Sequence, residues 1–576
     1  MALNLPLKKI LTEPSIPRAY TAVVYKEGSH VYAKDEKGNI ICQDSPTACL
    51  QEAVNYIAQL SGGRILVKRG TYYPTTSVNI PDGIKLIIEG EGANTVFRYT
   101  GQHLLFIHRG TPTWTSVIVM RDFKVDRTGS GNNNTDVIAV HYAKYVKFEN
   151  LMLEDDFRMA SANDAFILAN NNIVAIAENN YVANKSYGIW VIGYMAIARD
   201  NYVKNSAYVG VAANGFTPNW KVPTGFPDYG IGIVEGNICI NCGQGDEAIT
   251  VDHGTTSSVP AIGIIRNNKI ITDNNTKMGY AISVVGPTKA IVEGNEVIGN
   301  VYRAIIRYNF NGDIVVRNNL VNVNGINVES STGELIWLRG DVLFEGNKIT
   351  INYQDIKNMY RGIELAGRVV CKNNVIEINA PYGYNVFIAT LIDLTKDRPH
   401  AIVSGNRIGG TIVFPIALSP AYNNDPHVFS VTDNIFSTSL GSGKALQLIF
   451  GNYSPTIYFR YFRNVVIPPM SEVSDLYFPN TGISPTFIVD WDTRVITDWK
   501  SAVSKFARKN AGMATVPANT TSVAVSHMLA CTPSRVIVTP TANVKAWVTN
   551  ITDTQFTINI DTAQTVDTAV YWYAEC

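Results

Sequence analysis

Residues 234–240 read VEGNICI, residues 265–271 IRNNKII, residues 292–298 VEGNEVI and residues 316–322 VRNNLVN. One phrase recurs: an apolar strand, a polar residue, an asparagine and a second apolar strand. Between residues 146 and 466 it returns at Asn150, Asn180, Asn201, Asn237, Asn268, Asn295, Asn319, Asn347, Asn374, Asn406, Asn434 and Asn464, at separations of 21 to 36 residues. Self-similarity at such a period marks a solenoid. The runs are β-branched, four to seven residues long and bounded by Gly, Asn and Asp, as strands are. No unit holds a sustained helical period, which excludes leucine-rich, ankyrin and tetratricopeptide repeats. The sequence predicts a parallel β-helix. Asparagine suits its corners because it tolerates the left-handed backbone. In coils stacked about 4.8 Å apart, equivalent asparagines also hydrogen-bond along a column. The column is therefore read as structural.

With 576 residues the chain is long enough for one solenoid with appendages. Equal numbers of acidic and basic residues, 48 each, leave no electrostatic footprint for nucleic acid, and no apolar run reaches membrane-spanning length. The N-terminus has two lysines but no apolar core, so it does not read as a signal peptide. The 29 tyrosines and 8 tryptophans exceed what a solenoid core needs. Flat aromatic faces suit sugar rings, although tyrosine also fits pleated surfaces. Of seven cysteines, Cys42 with Cys49 and Cys531 with Cys576 are candidate local disulfides; the CxxC of Cys239 and Cys242 has no partner pair and reads as structural.

Residues 1–45 read as a short hairpin extension. Next, SPTACLQEAVNYIAQ spaces Ala48, Leu50, Val54, Ile57 and Leu60 on one helical face, with Ser45 as N-cap and Pro46 at the first helical position. GGRILVKRGTY and IIEGEGANTVF then begin the coils. This helix-plus-strand segment, roughly residues 45 to 110, resembles the start of the pectate-lyase-like superfamily, which includes pectate lyases, polygalacturonases and phage tailspike depolymerases. The asparagine repeat carries the resemblance to about residue 466. It implies a right-handed parallel β-helix over residues 46–470 whose N-terminal end is capped by the helix. It leaves function open, since that fold hosts lyases, hydrolases, epimerases and non-enzymatic spikes. Residues 471–511 read as a linker with a short helix. Five alternating segments in residues 512–576 predict a small antiparallel β-sandwich for sugar binding, oligomer assembly or capping.

On a solenoid, chemistry belongs where loops rise beside a sheet. Residues 213–230 form the longest corner and carry Phe216, Trp220, Phe226 and Tyr229 with Lys221 and Asp228, an aromatic wall for a saccharide groove. Directly after it, GQGDEAITVDHG concentrates Asp246, Glu247, Asp252 and His253. Glycoside hydrolysis needs two carboxyl groups, one protonated and one ionised, and neighbouring carboxylates push their pKa values apart. The phrase is similar to the GDD-containing segment of polygalacturonases, but clean NTD, GHG and RIK segments are missing, so that catalytic set does not carry over. Aligning the second strand of each coil places Trp190, Trp337 and Glu364 near the Thr250 column, with Arg303 and Arg361 at strand starts. Arg303, Arg307 and Arg361 are the cations a uronate lyase needs, and Glu364 suits a distal subsite. His253 suits a general base. No metal-binding spacing is present, so no cofactor is expected, although the three carboxylates are compatible with calcium, as in pectate lyases.

The leading expectation is polysaccharide hydrolysis by a carboxylate pair, with uronate lyase and a non-enzymatic glycan-binding spike as alternatives. The expected partner is a polysaccharide, with a homotrimer implied by viral relatives and an extracellular or virion setting.

Overall fold

The computed structural model describes residues 19–99, 105–128, 136–155, 165–215, 229–252, 261–273, 276–286, 289–307, 312–325, 335–353, 362–379, 388–391, 400–410, 416–419, 427–438, 446–449, 456–462, 464–467, 475–477, 486–491, 509–527, 529 and 532–575. The chain forms a right-handed parallel β-helix, all-β apart from its N-terminal helix, with small antiparallel sheets at its C-terminus. It divides into two compact units, Met1–Val328 with Leu335–Arg339 and Glu329–Glu334 with Gly340–Cys576.

In the first unit a coil contributes three strands, each hydrogen-bonded to its equivalent in the next coil. Gly230–Glu235 pairs with Ala261–Arg266 in the first sheet, Ile238–Ile240 with Lys269–Ile271 in the second, and Glu247–Asp252 with Met278–Val285 in the third. The inward column of the third sheet is β-branched, with Ile249, Val251, Ile282, Val284 and Ile305 almost wholly buried, as parallel strands buried on their faces require.

The asparagine column stands at the corner between the first and second sheets. Each Nδ2 donates to the next Oδ1 from Asn180 through Asn201, Asn237, Asn268 and Asn295 to Asn319, at 2.9–3.0 Å. The left-handed backbone, however, belongs to the residue before each of these: Asn179, Asp200, Gly236, Asn267, Gly294 and Asn318 all have φ between 55° and 67°. The two duties expected of one asparagine thus fall on consecutive residues. Asn150 is the exception that shows the division. It takes the left-handed position (φ 54°), and Leu151 occupies the column, its N–H donating to Asn180 Oδ1.

At the N-terminus, His30–Asp35 and Ile40–Gln43 pair antiparallel across the DEKGN turn, Ala22–Glu27 adds an antiparallel strand, and Ala22–Val24 continues in parallel onto Ile65–Val67. The helix spans Leu50–Gln59 and buries Leu50, Ala53, Val54 and Ile57, so it begins four residues beyond the predicted Pro46. Ser45 and Thr47 do hold its start: their hydroxyls accept from the N–H groups of Cys49 and Gln51 and bond Glu52. The intervening turn carries Ala48 and Cys49 at positive φ, which helical backbone excludes. Cys42 and Cys49 form a disulfide; Cys531 and Cys576 lie outside the described residues.

Within the second unit the same column runs from Asn347 through Asn374, Asn406 and Asn434 to Asn464. Its C-terminal region has two three-stranded antiparallel sheets, around Val525, Phe556, Ile558, Val570 and Trp572. Six strands form rather than five, because Lys509–Val516 pairs with Thr568–Glu575. Lys509 and Asn510, the end of the predicted linker helix, belong to that strand; the rest of that helix lies outside the described residues.

Candidate functional site

The third sheet of the first unit carries the candidate site. Its register sets Trp190, Ala212, Thr250, Ser283, Ile306 and Trp337 side by side on successive coils. The alignment expected from sequence holds, except that it passed over the coil containing Val209–Asn214. Five steps of about 4.8 Å separate Trp190 from Trp337 by roughly 24 Å. A second row, at the strand starts, sets Glu247, Tyr280 and Arg303 beside one another.

Aromatic rings flank the acidic centre on both sides. Tyr187 stacks on Trp190 (5.2 Å between centroids) and on Tyr208 (5.8 Å). Tyr208 lies against Gly245, where an added Cβ would stand 3.1 Å from its ring, so the stack reaches the backbone beside Asp246. On the other side Arg303 lies over the rings of Tyr302 (5.4 Å) and Trp337 (5.1 Å), and Arg339 over Trp337 (4.4 Å). Sequence reasoning missed Tyr208, Tyr302 and Arg339: Tyr302 stands beside the aligned Arg303, Tyr208 belongs to the coil that was passed over, and Arg339 ends the strand of Trp337.

Glu247 heads its strand, held by a tight corner at Gly243. That glycine has φ 67°, and a Cβ there would meet the Ala248 nitrogen at 2.3 Å, so no other residue fits. Tyr280 N–H donates to the Asp246 carbonyl at 2.8 Å, locking the acidic turn to the next coil. Burial pushes the Glu247 carboxyl up to about 8, helped by its hydrogen bond to the Asp246 carboxyl and that group's charge, with a smaller push from Asp252; the Ser283 hydroxyl pulls the other way. Glu247 is therefore protonated at neutral pH beside a second carboxyl.

Asp252 ends the same strand, half-buried, with its N–H on Asn214 Oδ1 at 3.1 Å. It stands five residues after Glu247 and is near enough for its charge to act on that carboxyl. Among the described residues no group of three or more His, Cys, Asp or Glu is placed to hold a metal.

Three expected substrate contacts are corrected. Arg307 is fully buried, because its register partner is the inward Val284, and its Nη1 donates to the Gly312 carbonyl at 3.1 Å. Glu364 is only 1 % exposed within the second unit, too buried to meet a polymer. Tyr229 packs on the first sheet against a cluster containing Tyr194, Met195 and Ile231, and its N–H donates to the Tyr194 hydroxyl. His253, Trp220, Phe226, Asp228 and Arg361 lie outside the described residues.

No family model matches the chain, and no curated protein matches it. Solved structures to which the chain is similar include the tailspike of Pseudomonas phage LKA1, at 13% identity and TM-score 0.39 over 92% of each chain. The tailspike of Pseudomonas phage phi297 is similar at 12% identity and TM-score 0.31, over 92% of this chain and 91% of that one. A mutant tailspike of E. coli bacteriophage HK620, solved in complex with a pentasaccharide, matches at 12% identity and TM-score 0.31, over 94% of this chain and 92% of that one. With identities and scores this low, none of them transfers a residue role or an activity.

Proposed function

We propose that the protein cleaves glycosidic bonds of a polysaccharide lying across the third sheet, by hydrolysis. One observation carries the reading: a carboxyl held protonated at neutral pH, Glu247, shares a turn with a second carboxyl, Asp246, between two aromatic clusters. Glu247 protonates the leaving oxygen, as a general acid must, and Asp246, hydrogen-bonded to it, holds that proton in place until transfer; the attacking water gives its proton to Asp252, the second carboxyl of the same strand. Tyr187 and Trp190 on one side, and Trp337 on the other, give flat apolar faces for sugar rings.

Incubation with neutral and uronate-containing polysaccharides, reading new reducing ends and ultraviolet absorbance together, tests this. Reducing ends without absorbance are expected, and Glu247→Gln should lower the rate by roughly 10²–10⁴-fold with the fold intact by circular dichroism. A uronate lyase is the second reading, favoured by Arg303 beside Tyr280 on the strand-start row. Absorbing products lost in Arg303→Ala, with Glu247→Gln still active, would establish it instead. Binding without any product would leave a glycan-binding spike.

A further inference from the structure

Thr250 and Ser283 are neighbours in the third-sheet register, and both are buried, at 4 % and 0 % exposure. Neither hydroxyl oxygen meets the geometry of a hydrogen bond, although that of Ser283 acts on the Glu247 carboxyl. Two adjacent buried hydroxyls left in this state call for an explanation, because each lone hydroxyl forfeits roughly 1–3 kcal/mol of solvation. What they face supplies one. In the coil of Trp190, the strand-start residue and the residue three positions later meet across the bend, as the Tyr187–Trp190 stack shows. Glu247 and Thr250 hold those same two positions in their own coil, and Ser283 stands next to Thr250 on the following one. The Ser283 hydroxyl is close enough to Glu247 to favour its ionised form, although it is aligned on no partner.

We infer that Thr250 and Ser283 are positioning residues whose hydroxyls turn to donate to the Glu247 carboxylate once that group has given up its proton. The inference rests on the proposed role of Glu247 as proton donor. While Glu247 is protonated it bonds Asp246, and the hydroxyls have nothing to satisfy. When its proton passes to the leaving oxygen, the new carboxylate needs donors in a buried site. Two hydroxyls already in place supply them without rearrangement of the sheet. The other titratable or charged groups around Glu247 are Asp246 and Asp252 on its own coil and Tyr280 and Arg303 on the next two. Of these, the two aspartates oppose ionisation, which leaves the hydroxyls a distinct share of the balance.

The test is a direct titration of the Glu247 carboxyl in the full-length protein, by its infrared carbonyl band or by carbon-13 labelling, with Glu247→Gln identifying the signal. In Ser283→Ala the midpoint should rise by about one pH unit, a tenfold gain in proton affinity. Thr250→Val should shift it in the same direction, and Ser283→Thr should restore the original value. A midpoint unmoved in both Ser283→Ala and Thr250→Val overturns the inference. The readout is independent of turnover: if Glu247→Gln keeps full hydrolytic activity, the assignment of the proton donor fails while the titration still decides the role of the hydroxyls.

Discussion

At Asn237 every polar atom of the side chain is committed. Oδ1 accepts from the N–H and the Nδ2 of Asn201, and Nδ2 donates to the carbonyls of Ala198 and Glu235 and to Asn268. Asn237→Ala strands two buried donors of Asn201, so it should destabilise the protein by about 3 kcal/mol in denaturant unfolding. Asn267→Gly, one residue before the column at φ 55°, should change stability by less than about 1 kcal/mol, because glycine accepts that conformation freely. The same scale governs the acid pair. Because Glu247 titrates at about 8 in the folded protein, above its ordinary 4.5, its contribution to stability is present below pH 4.5 and lost as pH rises through 8. Hydrolysis should fall over the same alkaline limb, since the donor must be protonated. Asp246→Asn removes a charge that holds the proton on Glu247, so residual activity should show that limb displaced to lower pH. An unchanged limb would mean that another group sets it.

The elements were legible in the text to different depths. The repeat exposed the coils because each corner needs a left-handed residue followed by a buried amide, a pair that reads as NN, DN or GN. Two phrases depart, EN at Asn150 and RN at Asn464, and at Asn150 a single asparagine was assigned to the wrong half of the pair. Asp246 and Glu247 stood out as adjacent acids between glycines. Arg307 was misplaced because a charged side chain is expected to face water, whereas its position two residues after Ile305 repeats the inward step of Ile282 and Val284. Thr250 and Ser283 carried no signal of their own; their burial depends on the stacking of coils that short-range periodicity does not fix. The helix Leu50–Gln59 is secured at its start by the Cys42–Cys49 disulfide across a separation of 7 residues. Breaking it with Cys42→Ser and Cys49→Ala should lower stability by roughly 2 kcal/mol and leave product release unchanged. Thermal unfolding beside the reducing-end assay checks both halves.

For the whole molecule, the buried thiols provide a separate reporter for each unit. Cys239 and Cys242 lie in the first unit and Cys371 in the second, all fully buried; the hydrogen bond with Cys242, with burial, pushes the Cys239 thiol up, and burial pushes that of Cys371 up. A thiol reagent should leave all three unlabelled in the native protein. Under mild denaturant, mass spectrometry of the labelled peptides should show whether the two units open together or at different rates; rapid native labelling would contradict this packing. Solenoid stability is held mainly between neighbouring coils, so the two rates need not match. The asparagine column has a further consequence. Within each unit the amide-to-amide bond repeats from Asn180 to Asn319 and from Asn347 to Asn464, so it ties coil to coil but carries no address. Removing or duplicating one complete coil leaves the column intact, and such a chain lengthens or shortens by whole turns. What tells one turn from another is the irregular side: the acidic turn, the rings beside it and the hydroxyls under it. Inheritance can therefore edit the length of this scaffold freely, provided it leaves those few coils in sequence.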